Sequence, residues 1–582
     1  MSESAQVTAR IRAQPNPRDP LVERLIGPGK PFEIEQVEAR GVSVEVFKGA
    51  PRTLAEIYAR AAAFGDQPLA VHNGVRLSYA EVLARAASLA HGLADHFAVT
   101  PGTTVALVMG NRIEWAISLI AVTALGGVAA LINSRGAGEE LNRAMALAGC
   151  TLAILDRERA AVLEQAPGPG PLPRIFIGGL PEGARPAIDA AFEDLIAADA
   201  GRPLPRVEVE PSDGAVVLFT SGTTGFPKGA LISHGAIAHA ITLSGFMGSL
   251  QDLRLEVETG ETLPVERRAM TSPAVILSPM FHLSGMMPVI RVMSVGATFH
   301  IVDKWNVDTA FDMIEHIGLS RLGFVPTMLW DMLRSPRAGP QNLGAVQHVV
   351  NGGAPLNAAL LIEMKARMPR ALITSTYGQT ENAGWACSIS GAPYLAHPDA
   401  CGWACPTVEV SVRRDDGSEA AEGEPGELWV RSAAVMTGYV NDPKATAETL
   451  KGGWCASGDV GFVDAEGVFT IVDRKKNMVI SGGENIYCAE VERVLHDHPS
   501  VKEAIAYGLP DPRLGERLVA TVVLTADSAT DEDALKAYCR GRLAIYKTPR
   551  EIRLAQTPLP RTASGKVDRG LFARRLQETA AS

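Results

Sequence analysis

A chain of 582 residues is too long for one hydrophobic core, so two or more domains are expected. Its net charge of −10, with no basic run, excludes a nucleic-acid partner of the ordinary electrostatic kind. Seven scattered cysteines, an odd number without regular spacing, exclude a disulfide framework and point to a reducing, cytoplasmic setting.

In chain order, Met1 to Pro20 carries no apolar core of a secretory signal, and residues up to Lys48 read as a polar, proline-punctuated extended arm. Helical periodicity begins after Thr53, a candidate N-cap with Glu56 three positions on. A helix over Tyr79 to Phe97 and a strand over Thr104 to Met109 follow. The uncharged run Trp115 to Asn133 approaches membrane-spanning length, but Gly126-Gly127 split it, so a buried helix, a glycine turn and a buried strand are predicted. The alternation argues for α/β layers. Ala166 to Pro171 is a surface loop, and the charged stretch Leu250 to Ala269 reads as a surface excursion. Between Val408 and Val440, short alternating strands with Gly and Asp turns suggest a β-rich subdomain. Cys401 and Cys405 lack a second pair at metal-ligand spacing and read as buried thiols. A domain boundary is placed at Asp473 to Asn477, after which α+β patterning resumes.

The densest chemistry follows the apolar strand Ala215 to Phe219. Thr220-Ser221-Gly222-Thr223-Thr224-Gly225 leads through Phe226-Pro227 to Lys228. Glycines let backbone N–H groups turn toward an anion, hydroxyls add donors, and lysine adds charge. The spacing is not that of a Walker A loop. A polyphosphate cradle and a plain surface loop both fit the stretch taken alone. Five further patches stand out. Asn351 to Leu356, with Gly353 and Ala354, follows a predicted strand, where small residues admit a flat ring. Tyr377-Gly378-Gln379-Thr380-Glu381 offers an aromatic face, a hydroxyl and a carboxylate suited to a divalent cation. Ser457-Gly458-Asp459 presents what reads as an exposed carboxylate for ribose hydroxyls. Asp473-Arg474-Lys475-Lys476 opens the C-terminal region, and Arg561-Thr562-Ala563-Ser564-Gly565-Lys566 is a loop carrying a lysine. Singly, each reads equally as a turn, a capped helix or solvated charge.

Together and in this order the motifs closely resemble the adenylate-forming superfamily of acyl-CoA synthetases, luciferases and peptide-synthetase adenylation domains, from about Thr53 to Arg569. Val479 to Tyr487 resembles the CoA-ligase version, and the chain is most like a bacterial fatty-acyl-CoA synthetase. The resemblance implies an N-terminal arm (1–48), a large domain of layered α/β and β-rich parts (49–473), and a small mobile α+β domain (474–582). It implies ATP, Mg²⁺ and coenzyme A. Thr220 to Lys228 would hold the β- and γ-phosphates; Gly353, Ala354 and Tyr377 would sandwich adenine. Thr380 would touch the α-phosphate region, Glu381 would bind Mg²⁺, and Asp459 with Arg474 would grip the ribose. Lys476 matches the hinge, and Lys566 the lysine bridging α-phosphate and carboxylate. Gly482 and Gly483 would line the pantetheine path. His282, Gly285, Gly378 and Gly384 would stand at the acyl pocket. Ser457 replaces the usual Thr, and Cys488 a common Pro, which puts the local turn or the CoA path in question.

The implied reaction is ATP-dependent conversion of a carboxylic acid to its CoA thioester through an acyl adenylate. The apolar segment Phe281 to Ile290 favours a medium- or long-chain fatty acid, with aryl or alicyclic acids next. An enzyme loading a carrier protein, a light-emitting oxygenase on the same scaffold and a silent ligand-binding relative are the alternatives. No transmembrane segment is expected; peripheral membrane contact and a homodimer remain open.

Overall fold

The computed structural model describes residues 20–166, 172–198, 201–220, 227–265, 268–324, 326–352, 356, 358–481, 484–525, 528–561, 567 and 572. The chain forms two compact units. The larger runs through Ser411 and takes back Val430–Ala456; the smaller comprises Val412–Trp429 and the described residues from Ser457 onward.

The larger unit is built on three sheets. An eight-stranded sheet has the spatial order Gly438–Tyr439, Lys228–Ser233, Gly214–Thr220, Val128–Leu131, Thr104–Val108, Leu152–Asp156, Arg174–Ile177 and Ala190–Ala191. From Gly214–Thr220 to Ala190–Ala191 the strands run parallel, and the central ones are apolar on both faces, as sheets covered on both sides require; Lys228–Ser233 is antiparallel to both its neighbours. Helix Ile113–Ala124 is buried almost all round, Gly126 turns with φ 70°, and Val128–Leu131 is fully buried, so the uncharged run is the expected helix, turn and strand. Thr53 caps Leu54–Ala61 by accepting from the Glu56 amide, and Ser78 with Glu81 forms a capping box on Tyr79–Phe97. A four-stranded sheet orders Ala274–Ile276, Phe299–Ile301, Pro68–His72 and Val75–Ser78. In the third sheet, Arg321–Leu322, His348–Gly352 and Leu372–Tyr377 run parallel, and Cys387–Ser390 and Ala400–Ala404 continue antiparallel.

Two expectations are corrected here. From Pro20 on, the stretch read as an extended arm forms a helix, Pro20–Ile26, and a hairpin, Ile34–Ala39 with Val42–Phe47. Phe47 is buried and stacks on His239 and Phe246 with centroids 5.7 Å away in both cases. The charged stretch from Leu250 is no surface excursion over its first half. It completes the helix His234–Thr259, with Leu250, Gln251, Asp252 and Leu255 buried. Its charges Glu256 and Glu258 lie toward the outside, and Arg268 returns to pair with Glu256 at 2.8 Å. Cys401 and Cys405 are buried thiols, as read.

In the smaller unit, a five-stranded sheet orders Glu484–Ile486, Val479–Ser481, Gly515–Leu524 and Val501–Asp511, with Glu551–Ala555 parallel to Gly515–Leu524. Helices Cys488–His496 and Glu532–Arg540 cover it, and Cys488, Val491, Leu495, Leu518, Leu535 and Cys539 share its core. Among the described residues, no helix is long and apolar enough to cross a membrane.

Candidate active site

Strand pairing sets the geometry of the phosphate segment. Thr220 and Lys228 are cross-strand partners at the ends of Gly214–Thr220 and Lys228–Ser233. Between them, Ser221, Gly222, Thr223, Thr224, Gly225 and Phe226 lie outside the described residues. The short strand Gly438–Tyr439 pairs alongside, Ala230 against Tyr439. The Lys228 ammonium sits 4.9 Å from the centre of the Tyr439 ring, a distance at which the ring face attracts a cation. The Tyr439 hydroxyl donates to Glu381 Oε1 at 2.8 Å. Burial first, and then the Glu381 carboxylate, push the Tyr439 phenol well above its usual range, so it stays a neutral donor. The Met436 amide donates to the Glu381 carbonyl at 2.8 Å, tethering the same turn. One aromatic side chain therefore links the lysine of the phosphate segment to the glutamate of the Tyr-Gly-x-Thr-Glu motif.

That motif is locally over-determined. Tyr377 ends the strand Leu372–Tyr377, and Thr380–Asn382 forms a single 3₁₀ turn. Asn382 accepts from the Gln379 amide at 2.8 Å, and Ala383 takes φ 49°. A Cβ at Gly378 would come within 2.2 Å of the Gly384 backbone, and Gly384 itself has φ 89° with Leu283 against it. The two glycines bring backbone onto backbone, which no larger residue permits. His282 N-caps Leu283–Val295, with its ring 4.5 Å from that of Phe281. Gly285 packs on Pro279, whose carbonyl oxygen lies 2.2 Å from where a Cβ would stand. Gly352 ends its strand beside Thr376, whose hydroxyl donates to the Asn351 carbonyl at 3.1 Å. Gly353 and Ala354 lie outside the described residues.

In the smaller unit, the Asp459 carboxylate is not exposed as read; it is 5% accessible and bound to Arg474 Nε at 2.8 Å. The two residues are cross-strand partners. Ser457, in the usual place of Thr, keeps the hydroxyl role, accepting from the Asp459 amide at 3.0 Å. The turn Lys475–Asn477 follows, with Lys475 bound to Asp415 and Glu427 and Lys476 exposed. Asp473 accepts from the Ala489 amide at 2.7 Å and the Arg474 amide at 2.6 Å, pinning this turn to the start of helix Cys488–His496. Cys488 is the first residue of that helix and wholly buried, a position where Pro fits equally well. Gly482, Gly483 and Lys566 lie outside the described residues.

Sequence reading missed Tyr439, Glu427 and Asp473. Of these only Asp473 stood in a motif, where it was noted as part of a charged run.

Profile comparison matches residues 57–440 to the AMP-binding enzyme family and residues 490–566 to the AMP-binding enzyme C-terminal domain. The chain belongs to the AMP-binding enzyme family. This AMP-binding enzyme is 33% identical over 506 residues to a feruloyl-CoA synthase of an Amycolatopsis species, covering 87% of this chain and 95% of that protein. It is 31% identical over 497 residues to the long-chain-fatty-acid–CoA ligase FadD13 of Mycobacterium tuberculosis, covering 85% and 92%. Its fold matches the amide bond synthetase McbA of Marinactinospora thermotolerans with a TM-score of 0.76 at 27% identity, covering 90% and 99%. The AMP-binding enzyme is thus an AMP-forming CoA ligase with the mixed α/β fold of adenylate-forming enzymes, and it uses ATP and CoA.

Proposed function

We propose that this AMP-binding enzyme activates a carboxylic acid with an apolar body, a medium- or long-chain fatty acid first and an aryl or alicyclic acid next. The supporting observation is the linked set Lys228, Tyr439 and Glu381 at the ends of adjoining strands and turns. The apolar segment Phe281 to Ile290 and relatives named for feruloyl and long-chain fatty acyl substrates support the apolar body.

A carboxylate acylates poorly because oxide is its leaving group; AMP is a better one. The first half-reaction is in-line attack of the carboxylate on the α-phosphorus with loss of pyrophosphate. The protein needs no covalent nucleophile for this, only alignment and compensation of negative charge. Lys228 and the Thr220 segment hold the outer phosphates. Thr380 stands at the α-phosphate. Glu381 fits a divalent ion, because Tyr439 takes one carboxylate oxygen and no described residue hydrogen-bonds the other. Bound there, Mg²⁺ would offset charge on the phosphates. Tyr377, with Gly353 and Ala354, holds adenine, and the Asp459–Arg474 pair holds the ribose. Lys566 offsets the charge of two anions meeting at the α-phosphate. For the second half-reaction the domain 474–582 turns about Lys476, withdraws Lys566 and presents Gly482 and Gly483 to the thiol of CoA. His282, Gly285, Gly378 and Gly384 border the acyl group.

The test is pyrophosphate release over a panel of carboxylic acids, with and without CoA and with holo-carrier protein as a rival acceptor. The proposal expects release with apolar acids and a CoA thioester as product. Thioester formation only on the carrier would refute the CoA assignment.

A further inference from the structure

The turn of the N-terminal hairpin has no part in the chemistry above, yet its arginine reaches the segment that does. Arg40 and Gly41 join strands Ile34–Ala39 and Val42–Phe47 with φ of 53° and 73°. A two-residue connection of this kind favours Asn or Gly at its first position, because a left-handed backbone crowds a larger residue. The turn's own geometry therefore does not account for an arginine. The contacts of the guanidinium do. Arg40 Nη1 donates to the Val435 carbonyl at 3.0 Å, and Nη2 to the Ser432 carbonyl at 2.6 Å. Arg40 is itself exposed, whereas Ser432 and Val435 are each 1% accessible. Its fork thus supplies donors to a buried turn, where carbonyls need them.

The turn it grips leads into the site. Within it, the Val435 amide donates to the Ser432 carbonyl at 3.3 Å, and the Ala434 amide to the Ser432 hydroxyl at 3.2 Å. Ala434 packs in a small apolar cluster with Ala383, the residue after the Thr380–Asn382 turn. The next two amides continue toward the site: Met436 donates to the Glu381 carbonyl and Thr437 to the Leu231 carbonyl, each at 2.8 Å. Two residues later, Tyr439 bonds the Glu381 carboxylate and lies against Lys228. Gly438–Tyr439 is an edge strand of two residues. So short a strand holds weakly by its own ladder, and its position depends on what fixes the chain on either side. On the far side, the Tyr439 amide donates to Thr446 Oγ1 at 2.9 Å. On the near side stands the charged contact from Arg40.

The hairpin is a firm base for that contact. Phe32 sits edge-on to Phe47 and Phe246, with centroids 5.6 and 5.4 Å away. Val42, just past the turn, fills the space over Gly453, where a Cβ would lie 2.7 Å from Val42 Cγ1. All these residues belong to the larger unit. A side chain carried on a packed element fixes its target more closely than one on a loose loop.

We propose that Arg40 is a positioning residue for the phosphate and metal site: by holding the carbonyls of Ser432 and Val435, it fixes the segment that brings Tyr439 to Glu381 and Lys228. This rests on the reading of Glu381 as a magnesium ligand and Lys228 as a phosphate contact, and it gives the N-terminal hairpin a part in adenylation.

The test is Arg40→Asn, which suits the turn and removes the guanidinium. Adenylation, read as pyrophosphate release, should fall at least about tenfold, chiefly through a raised magnesium requirement. In a Tyr439→Phe background the same change should cost less than about threefold further, because the bond it positions is already gone. A loss at unchanged magnesium requirement, or losses that multiply in the double variant, overturns the proposal. Hydrogen exchange gives a readout free of turnover. In Arg40→Asn, peptides spanning residues 435–439 should exchange at least about tenfold faster, while those spanning 34–47 stay within about threefold of wild type. Unchanged exchange at 435–439, or equal loosening of the hairpin, overturns it as well. If wild-type enzyme releases no pyrophosphate from any acid, the ligase reading has failed, and hydrogen exchange alone decides the positioning role. Arg40→Met, with the same readouts, stands in if Arg40→Asn does not fold.

Discussion

Tyr439 is the residue whose removal best separates geometry from charge. Tyr439→Phe keeps the ring under Lys228 and deletes the hydrogen bond to Glu381. Hydrogen bonds to charged groups are worth about 1.5–3 kcal/mol, so adenylation should fall by about 10- to 100-fold. The effect should appear mainly as a raised requirement for magnesium, measured by metal titration of pyrophosphate release. Lys228, Thr380 and Glu381 were legible in the sequence because glycine, hydroxyl and charge recur there in a dense, ordered pattern. Tyr439 was not, because its strand is two residues long and too short to register any periodicity. The burial of Asp459 was also illegible: its partner Arg474 reaches it only through the register of two antiparallel strands. A single sequence does not state that register.

The long helix His234–Thr259 carries a pH liability near its start. His239 is 5% exposed, stacks on Phe47 and bonds Thr407 at 2.9 Å. Burial, helped by Arg52 and Arg40, lowers its pKa from 6.5 to about 4. Above 6.5 the ring is neutral in both the folded and the unfolded chain, and stability is intact. As pH falls from 6.5 toward 4, the unfolded chain takes up a proton that the folded one refuses, at a cost of about 3 kcal/mol over the whole window. Tm should therefore drop on acidification through this window, and His239→Gln should shrink the drop. An identical drop in both proteins would remove His239 as its source. At this scale, caps and periodicity foretold Leu54–Ala61 and Tyr79–Phe97 because the signals are local. They failed from Leu250 on, where outward charges mask a buried stripe. They failed also at the N-terminal hairpin, which is held by ring packing from distant residues.

At the scale of the whole molecule, two half-reactions share one site, and a single lysine should tell them apart. Lys566→Ala should slow adenylation by about 10²–10³-fold, while thioester formation from supplied acyl adenylate survives. Equal loss in both steps would contradict the role given to Lys566. Family membership was readable from motif order along nearly the whole chain, because polyphosphate chemistry demands particular residue types. Substrate choice was not, since it depends on side chains that different strands and helices bring together only after the sheets assemble. The most direct test of the central claim follows oxygen. An acid labelled with heavy oxygen in its carboxyl group is turned over to completion with ATP and CoA. Attack of the carboxylate on the α-phosphorus predicts one labelled oxygen in AMP and none in pyrophosphate; label in any other phosphate product, or unlabelled AMP, would contradict the account.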